Sequence, residues 1–332
     1  MTELESKSIL HQVQLERVEN GIVKNCLLEL EKANRLIRSE LMKTNGVYTK
    51  ARYKELRKYL KEVARELKYK VDSSMDIEEF IDYELEAQIK LYKKYGNIQL
   101  VAPNKEQLIT TATFTPYTST STFANFLDSF EYDYFNVWDS TVRSGYLTGM
   151  TTGQIVRKVM GYGAKDSSVA DLGVIHALRN SIEMNTRTAL QSFAMETRRM
   201  IFDKNDSLFS GYRWVATLDR RTCIICGHNE SKIYKSLDNI DTPPAHPNCR
   251  CTIIPLLKDM EDLDEESTRA SMNGQVDANI TFEEWLSKQS ADVQKDVLGA
   301  RRYELFKNGE PMKSFINDNR ILTIQELKDK GL

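Results

Sequence analysis

The stretch CIICGHNESKIYKSLDNIDTPPAHPNCRC, from Cys223 to Cys251, gathers four of the chain's five cysteines and two of its four histidines into 29 residues. Thiol and imidazole donors at this density suit a zinc ion. In Cys223-x-x-Cys226 the two intervening residues form a tight knuckle, so that both sulfurs can reach one ion at about 2.3 Å. The second half, His246-Pro-Asn-Cys249-Arg-Cys251, can complete a tetrahedron in two ways. His246 and Cys249 can form a second knuckle, or Cys249 and Cys251, two apart in an extended segment, can point the same way and exclude the histidine. Pro243, Pro244 and Pro247 stiffen the loop that presents His246. The preferred set is therefore Cys223, Cys226, His246 and Cys249, with Cys251 as the alternative ligand and otherwise a small buried hydrophobe. His228, just past the first knuckle, reads as an exposed turn residue.

Five donors for four places favour a closed structural site over a catalytic one, which must keep a position open. Metal-free reduced thiols, and disulfides formed after release from a cell, are the competing readings. A structural zinc would supply on the order of 10 kcal/mol of folding free energy, comparable with the stability of a typical domain.

The rest of the chain must position these donors. Its 332 residues suffice for roughly two domains. A formal charge of -2 argues against polyanion binding by bulk electrostatics, so any nucleic-acid contact must be a local patch. No apolar run approaches the roughly 20 residues of a membrane span, and MTELESKSIL lacks the layout of a signal peptide. A reducing cytoplasm is the expected setting.

Over residues 3–43 an imperfect heptad places Ile9, Glu16, Val23, Leu30 and Ile37 in one register and Val13, Asn20, Leu27, Asn34 and Leu41 in the other. Seven of the ten are apolar, which predicts one long helix against a partner helix. Glu16 is the weak point of that seam unless it is paired, and Cys26 reads as a packing residue. Lys43-Thr44-Asn45-Gly46 breaks the pattern, and Tyr53, Leu56, Leu60, Val63 and Leu67 resume it, predicting a helical hairpin. The second arm, Tyr48 to Lys70, carries nine Lys/Arg against three Glu. Such a face is ordinarily just solvated; the alternative is a contact with DNA or an acidic protein surface. A third helix is expected from Asp76-x-x-Glu79 to Gly96.

The expected fold is mainly α, with a long N-terminal helical hairpin and a small α+β, metal-stabilised module. Its expected segments are a helical hairpin or bundle over 1–96, an extended Thr/Ser-rich connector over 97–122, a domain over 123–257 with the Cys/His module at 214–255, and an acidic linker with a small helical tail over 258–332. Phe126, Phe130, Phe135 and Trp138 are core candidates, Gly145–Gly149 and Gly161–Gly163 are turns, and His176 is a half-buried structural histidine on a helix spanning about 169–202.

The phrase from Tyr212 to Pro255 resembles the signature of the phage head-morphogenesis family, the Mu F-like minor head proteins. The matching elements are Trp214, then Asp219-x-Arg221-Thr222-Cys223-x-x-Cys226, a spacer, and Pro243-Pro244-x-His246-Pro-Asn-Cys249-Arg250-Cys251. Either half alone is weak, but the two together are specific. The spacer lacks the glycine usual near Lys232. The resemblance covers about residues 125–257 and implies a structural protein of a tailed bacteriophage, present in few copies at the portal or inside the head. It implies a role in head assembly or DNA delivery, with no catalysis, and residence in the host cytoplasm during assembly and in the virion afterwards. The implied partners are the portal protein, capsid or scaffold protein, and packaged DNA, but no membrane. On this reading Asp219, Arg221 and Arg250 hold the metal module together by charge-assisted hydrogen bonds. The rival functions are a metal-dependent nuclease, with His246 as base and Asn248 orienting it, and a zinc-ribbon nucleic-acid-binding protein.

Overall fold

The computed structural model describes residues 3–43, 49–117, 121–161, 173–238, 242–258, 268–318 and 320–332. The heptad pattern forms one helix, α1 (Glu3–Met42), and α2 (Lys50–Met75) follows, its first turn capped by the Thr49 hydroxyl. Asp76, in the left-handed region at φ 36°, ends α2, and its carboxylate accepts from the Glu79 amide to start α3 (Ile77–Tyr95). The stretch expected as an extended connector instead contains α4 (Lys105–Phe114). Asn104 caps it by accepting from the Gln107 amide, and Leu108 and Ala112, one turn apart, bury its inner face. Side-chain capping and apolar spacing here outweigh the β preference of the threonines.

Thr122 caps α5 (Phe123–Leu147), a Thr151/Gln154 capping box starts α6 (Thr152–Met160), and Gly161 closes α6 at φ 79°. Residues 162–163 and 169–172, expected in a turn and at the start of the next helix, lie outside the described residues, and α7 spans Ile175–Lys204. Then come β1 (Phe209–Val215), α8 (Ile224–Asn229), β2 (Ile233–Tyr234) and β3 (Thr252–Leu257). Most of the acidic linker also lies outside the described residues. The tail begins with an unexpected hairpin, β4 (Thr268–Ser271) and β5 (Gly274–Asp277). It continues with α9 (Phe282–Ser287), which starts at the expected Thr281/Glu284 capping box, then α10 (Ala291–Leu298), α11 (Ala300–Lys307), the two-residue strands β6 (Ile316–Asn317) and β7 (Arg320–Ile321), and α12 (Ile324–Asp329). The fold is thus mainly α with small sheets.

Two compact units cut across the expected linear segments: residues 1–16, 81–112 and 191–332 form one, and residues 17–80 and 113–190 the other. α1, α3 and α7 each contribute residues to both units.

In the second unit α2 runs back along α1. Arg52 pairs with Glu40 near the turn, and Cys26 Sγ lies 3.8 Å from the Val71 carbonyl far from it. Cys26 packs here as expected, its thiol pushed up to about 11 by burial. Phe126, Phe130, Tyr134 and Trp138 bury one face of α5. The seam residue Asn34 accepts from the Tyr134 hydroxyl at 3.0 Å and the Trp138 indole at 3.3 Å, which satisfies two buried donors with one side chain.

The first unit is built around the antiparallel sheet β2-β1-β3. Trp214 faces Ile253 across β1 and β3, and Val215 faces Thr252. An aromatic cluster of Tyr92, Phe202, Phe209 and Tyr212 packs with Leu4, Trp214 and three of the cysteines in one core. A second core gathers Ile224, Phe282, Trp285, Phe315 and Leu327, so the tail packs onto the back of α8.

Candidate metal centre

The β1–β3 register assembles the centre. With Val215 opposite Thr252, the chain leaving β1 toward Cys223 runs beside the chain arriving at β3 from Cys251. Cys223 sits at the N-cap of α8, its sulfur accepting from the Cys226 amide at 3.4 Å, so the knuckle is the first turn of a short helix. His246 Nε2 lies 3.2 Å from both Cys223 Sγ and Cys226 Sγ, and Cys226 Sγ lies 3.8 Å from Cys249 Sγ.

The five donors fall into two overlapping sets, Cys223/Cys226/His246 and Cys226/Cys249/Cys251, with the donor atoms of each within 4.8 Å of one another. Cys226 belongs to both. Cys249 and Cys251 are buried with it, while Cys223 and His246 form the accessible rim. The imidazole is oriented for ligation, because Nδ1 lies 2.8 Å from the Pro247 carbonyl, and donation to that carbonyl turns Nε2 toward the sulfurs.

Protons are shared across the cluster. A hydrogen bond from Cys226, with the nearby imidazole adding to it, holds the Cys223 thiol down to about 5, and bonds from Cys226 and Cys251 hold Cys249 well below the usual thiol range. The donors in these bonds, Cys226 and Cys251, are pushed up, and hydrogen bonding to Cys223 and Cys249 pushes His246 up to about 11. Such a constellation of soft donors could hold a metal ion, which would take the place of these protons.

Surrounding groups fix the two arms. Arg250 reaches both oxygens of Asp219, the longer bond 2.6 Å, and its charge outweighs burial to keep that carboxyl below its ordinary range. Arg221 departs from its expected role: its guanidinium is 68% exposed and only 3.9 Å from Asp219, and its backbone amide makes the close contact, 2.8 Å to Asp219 Oδ1. Thr222 donates to the Thr217 carbonyl at 2.5 Å, and Trp214 is fully buried beneath the site. Asn248 is exposed at φ 60°, and His228 belongs to α8, half-buried rather than exposed in a turn. His176, also half-buried, contacts Asn180 at 3.2 Å.

Sequence spacing missed the polar layer behind the site. Glu84, fully buried, contacts His11 at 2.7 Å and Arg198 at 2.6 Å, and Arg198 continues to Gln12 and Thr252. Gln12 in turn donates to Gln191, whose amide donates to the Cys251 carbonyl at 2.7 Å. Burial alone would raise the Glu84 carboxyl, but the Arg198 charge and the His11 hydrogen bond hold it at about 2. Glu16, the weak point of the α1 seam, lies 3.6 Å from Arg250, which explains its tolerance there.

Among curated proteins and among solved structures, the comparisons found no match. Residues 141–254, and with them the whole donor cluster, match the family model described as Phage Mu protein F like protein, so this segment of the chain is similar to that family.

Proposed function

We propose that the chain is a minor head protein of a tailed bacteriophage, held at the portal in few copies and acting in head assembly and DNA delivery. The observation that carries this reading is the Mu F-like match over 141–254, which contains all five donors. In this role the protein is not an enzyme. Its metal is a structural zinc held by Cys223, Cys226, His246 and Cys249, with Cys251 as the alternative ligand, and zinc when bound contributes folding free energy to a loop-rich module. Capsid or scaffold protein and packaged DNA are further partners, met in the host cytoplasm during assembly and in the virion afterwards. Among the described residues no helix is long and apolar enough to cross a membrane.

The environment of His246 argues against the nuclease reading. A general base needs a free nitrogen, yet Nε2 faces two sulfurs at 3.2 Å and Nδ1 faces a backbone carbonyl.

Co-expression with the phage's portal subunit, followed by size exclusion with mass detection, tests the portal contact. The two chains should co-elute in a fixed ratio, and independent elution would remove the portal from the proposal.

A further inference from the structure

The nine Lys/Arg of α2 are not spread evenly around the helix. At about 100° per residue, Lys50, Lys54, Arg57, Lys58, Lys61, Arg65 and Lys68 fall within an arc of about 100°, whereas Glu55, Glu62 and Glu66 occupy a separate ridge. The arc runs beside the buried face of Leu56, Leu60, Val63 and Leu67. From Lys50 to Lys68 the stripe is about 27 Å long at 1.5 Å per residue, and its first acidic residue, Asp72, lies one turn beyond.

The charges on the stripe are only partly answered within the second unit. Arg57 meets Asp139 at 3.4 Å, and Lys68 pairs with Asp128 and, at 3.5 Å, with Glu131, all three acids on α5. Lys58 reaches Glu62 at 3.7 Å with its side chain 81% exposed. Among the described residues Lys50, Lys54, Lys61 and Arg65 are exposed and have no carboxylate within 4 Å, and Lys61 instead lies 5.5 Å above the Phe135 ring.

We infer that this stripe binds the phosphate backbone of duplex DNA without reading sequence, which makes it the surface through which the DNA contact of the proposed function, on which the inference rests, is made. A row of long cations, four of them with no carboxylate within 4 Å among the described residues, matches the regular charge of a duplex, and about 27 Å spans roughly eight base pairs. An acidic protein partner fits less well. Protein interfaces carry an apolar centre and are depleted in Lys, and this arc holds five Lys, two Arg and no apolar side chain.

Binding of the full-length chain to a fluorescent duplex of roughly 20 base pairs, titrated from about 50 to 200 mM salt, tests this. The wild type should bind at low salt and weaken linearly in a log–log plot. Lys54→Gln/Lys61→Gln/Arg65→Gln should lower the steepness of that plot by about 2.7, at about 0.9 per phosphate contact, and lower the affinity at least tenfold at the low-salt end. Lys54→Arg/Lys61→Arg/Arg65→Lys should keep both. Lys90→Gln/Lys93→Gln/Lys94→Gln on α3 removes the same formal charge from exposed positions elsewhere and should change neither by more than twofold. Binding by the first variant equal to that of the α3 variant overturns the stripe alone. No duplex binding by the wild type at low salt, the result an acidic protein partner would give, overturns both the stripe and the DNA contact of the proposed function.

Discussion

A cluster with five donors does not depend equally on each of them. Cys223 and Cys226 belong to the knuckle, whereas Cys251 competes with the histidine arm for a place. The zinc-loaded chain is therefore expected to show one zinc in a native mass spectrum, to lose it on Cys223→Ser and to keep it on Cys251→Ser; the reverse pattern would exchange the two ligand assignments. The Glu84 carboxyl sits at about 2 when folded against an ordinary 4.5, so the unfolded chain takes up its proton first as pH falls. Its ion pairing stabilises the fold fully above about pH 4.5 and is lost progressively toward pH 2, a contribution on the order of 3 kcal/mol. Glu84→Gln should cost roughly 3–5 kcal/mol at neutral pH, because it strands the buried Arg198, and should flatten the acid limb of a urea-stability profile. An unchanged limb would place the acid sensitivity elsewhere. At this scale the donors were legible because metal chemistry restricts residue type and spacing. The Glu84–Arg198 pair was not, since its members lie 114 residues apart and nothing local marks either one.

Single positions also decide how neighbouring elements seat. A Cβ at Gly227 would lie 2.3 Å from Phe282 Cδ1, and both residues are buried where α8 meets α9. Gly227→Ala should therefore cost about 1–3 kcal/mol in urea unfolding, with weaker zinc retention against a chelator, because the helix carrying Cys226 must shift. On the hairpin, Asn34→Ala leaves the Tyr134 hydroxyl and Trp138 indole without their acceptor, and a loss of about 2–4 kcal/mol should appear as a lower urea midpoint. A midpoint within error of wild type would show that neither bond matters. The N-terminal helices could be read from heptads, and the Asp76 and Thr281 caps from the glutamate three residues on. The connector helix α4 could not, because its threonines favour strand and its Asn104 cap is a single residue. The β4–β5 hairpin, four residues per strand, was too short for its alternation to stand out.

Across the whole molecule, a formal charge of -2 conceals a segregated distribution, since the cations of α2 gather on one stripe while other segments carry the acids. Heptads could predict that helices pair, but the composition of the two compact units depends on long helices that contribute to both, and linear segmentation has no signal for that. The family signature was legible because it is a fixed string of residue types around the donors, and the match over 141–254 includes it. The proposed role has this chain, similar to the Mu F family over residues 141–254, built into phage heads. Quantitative mass spectrometry of purified mature particles and empty procapsids, with the portal subunit as the internal count, tests it most directly. A few copies per portal ring are expected in both, and absence of the polypeptide from both would rule the structural role out.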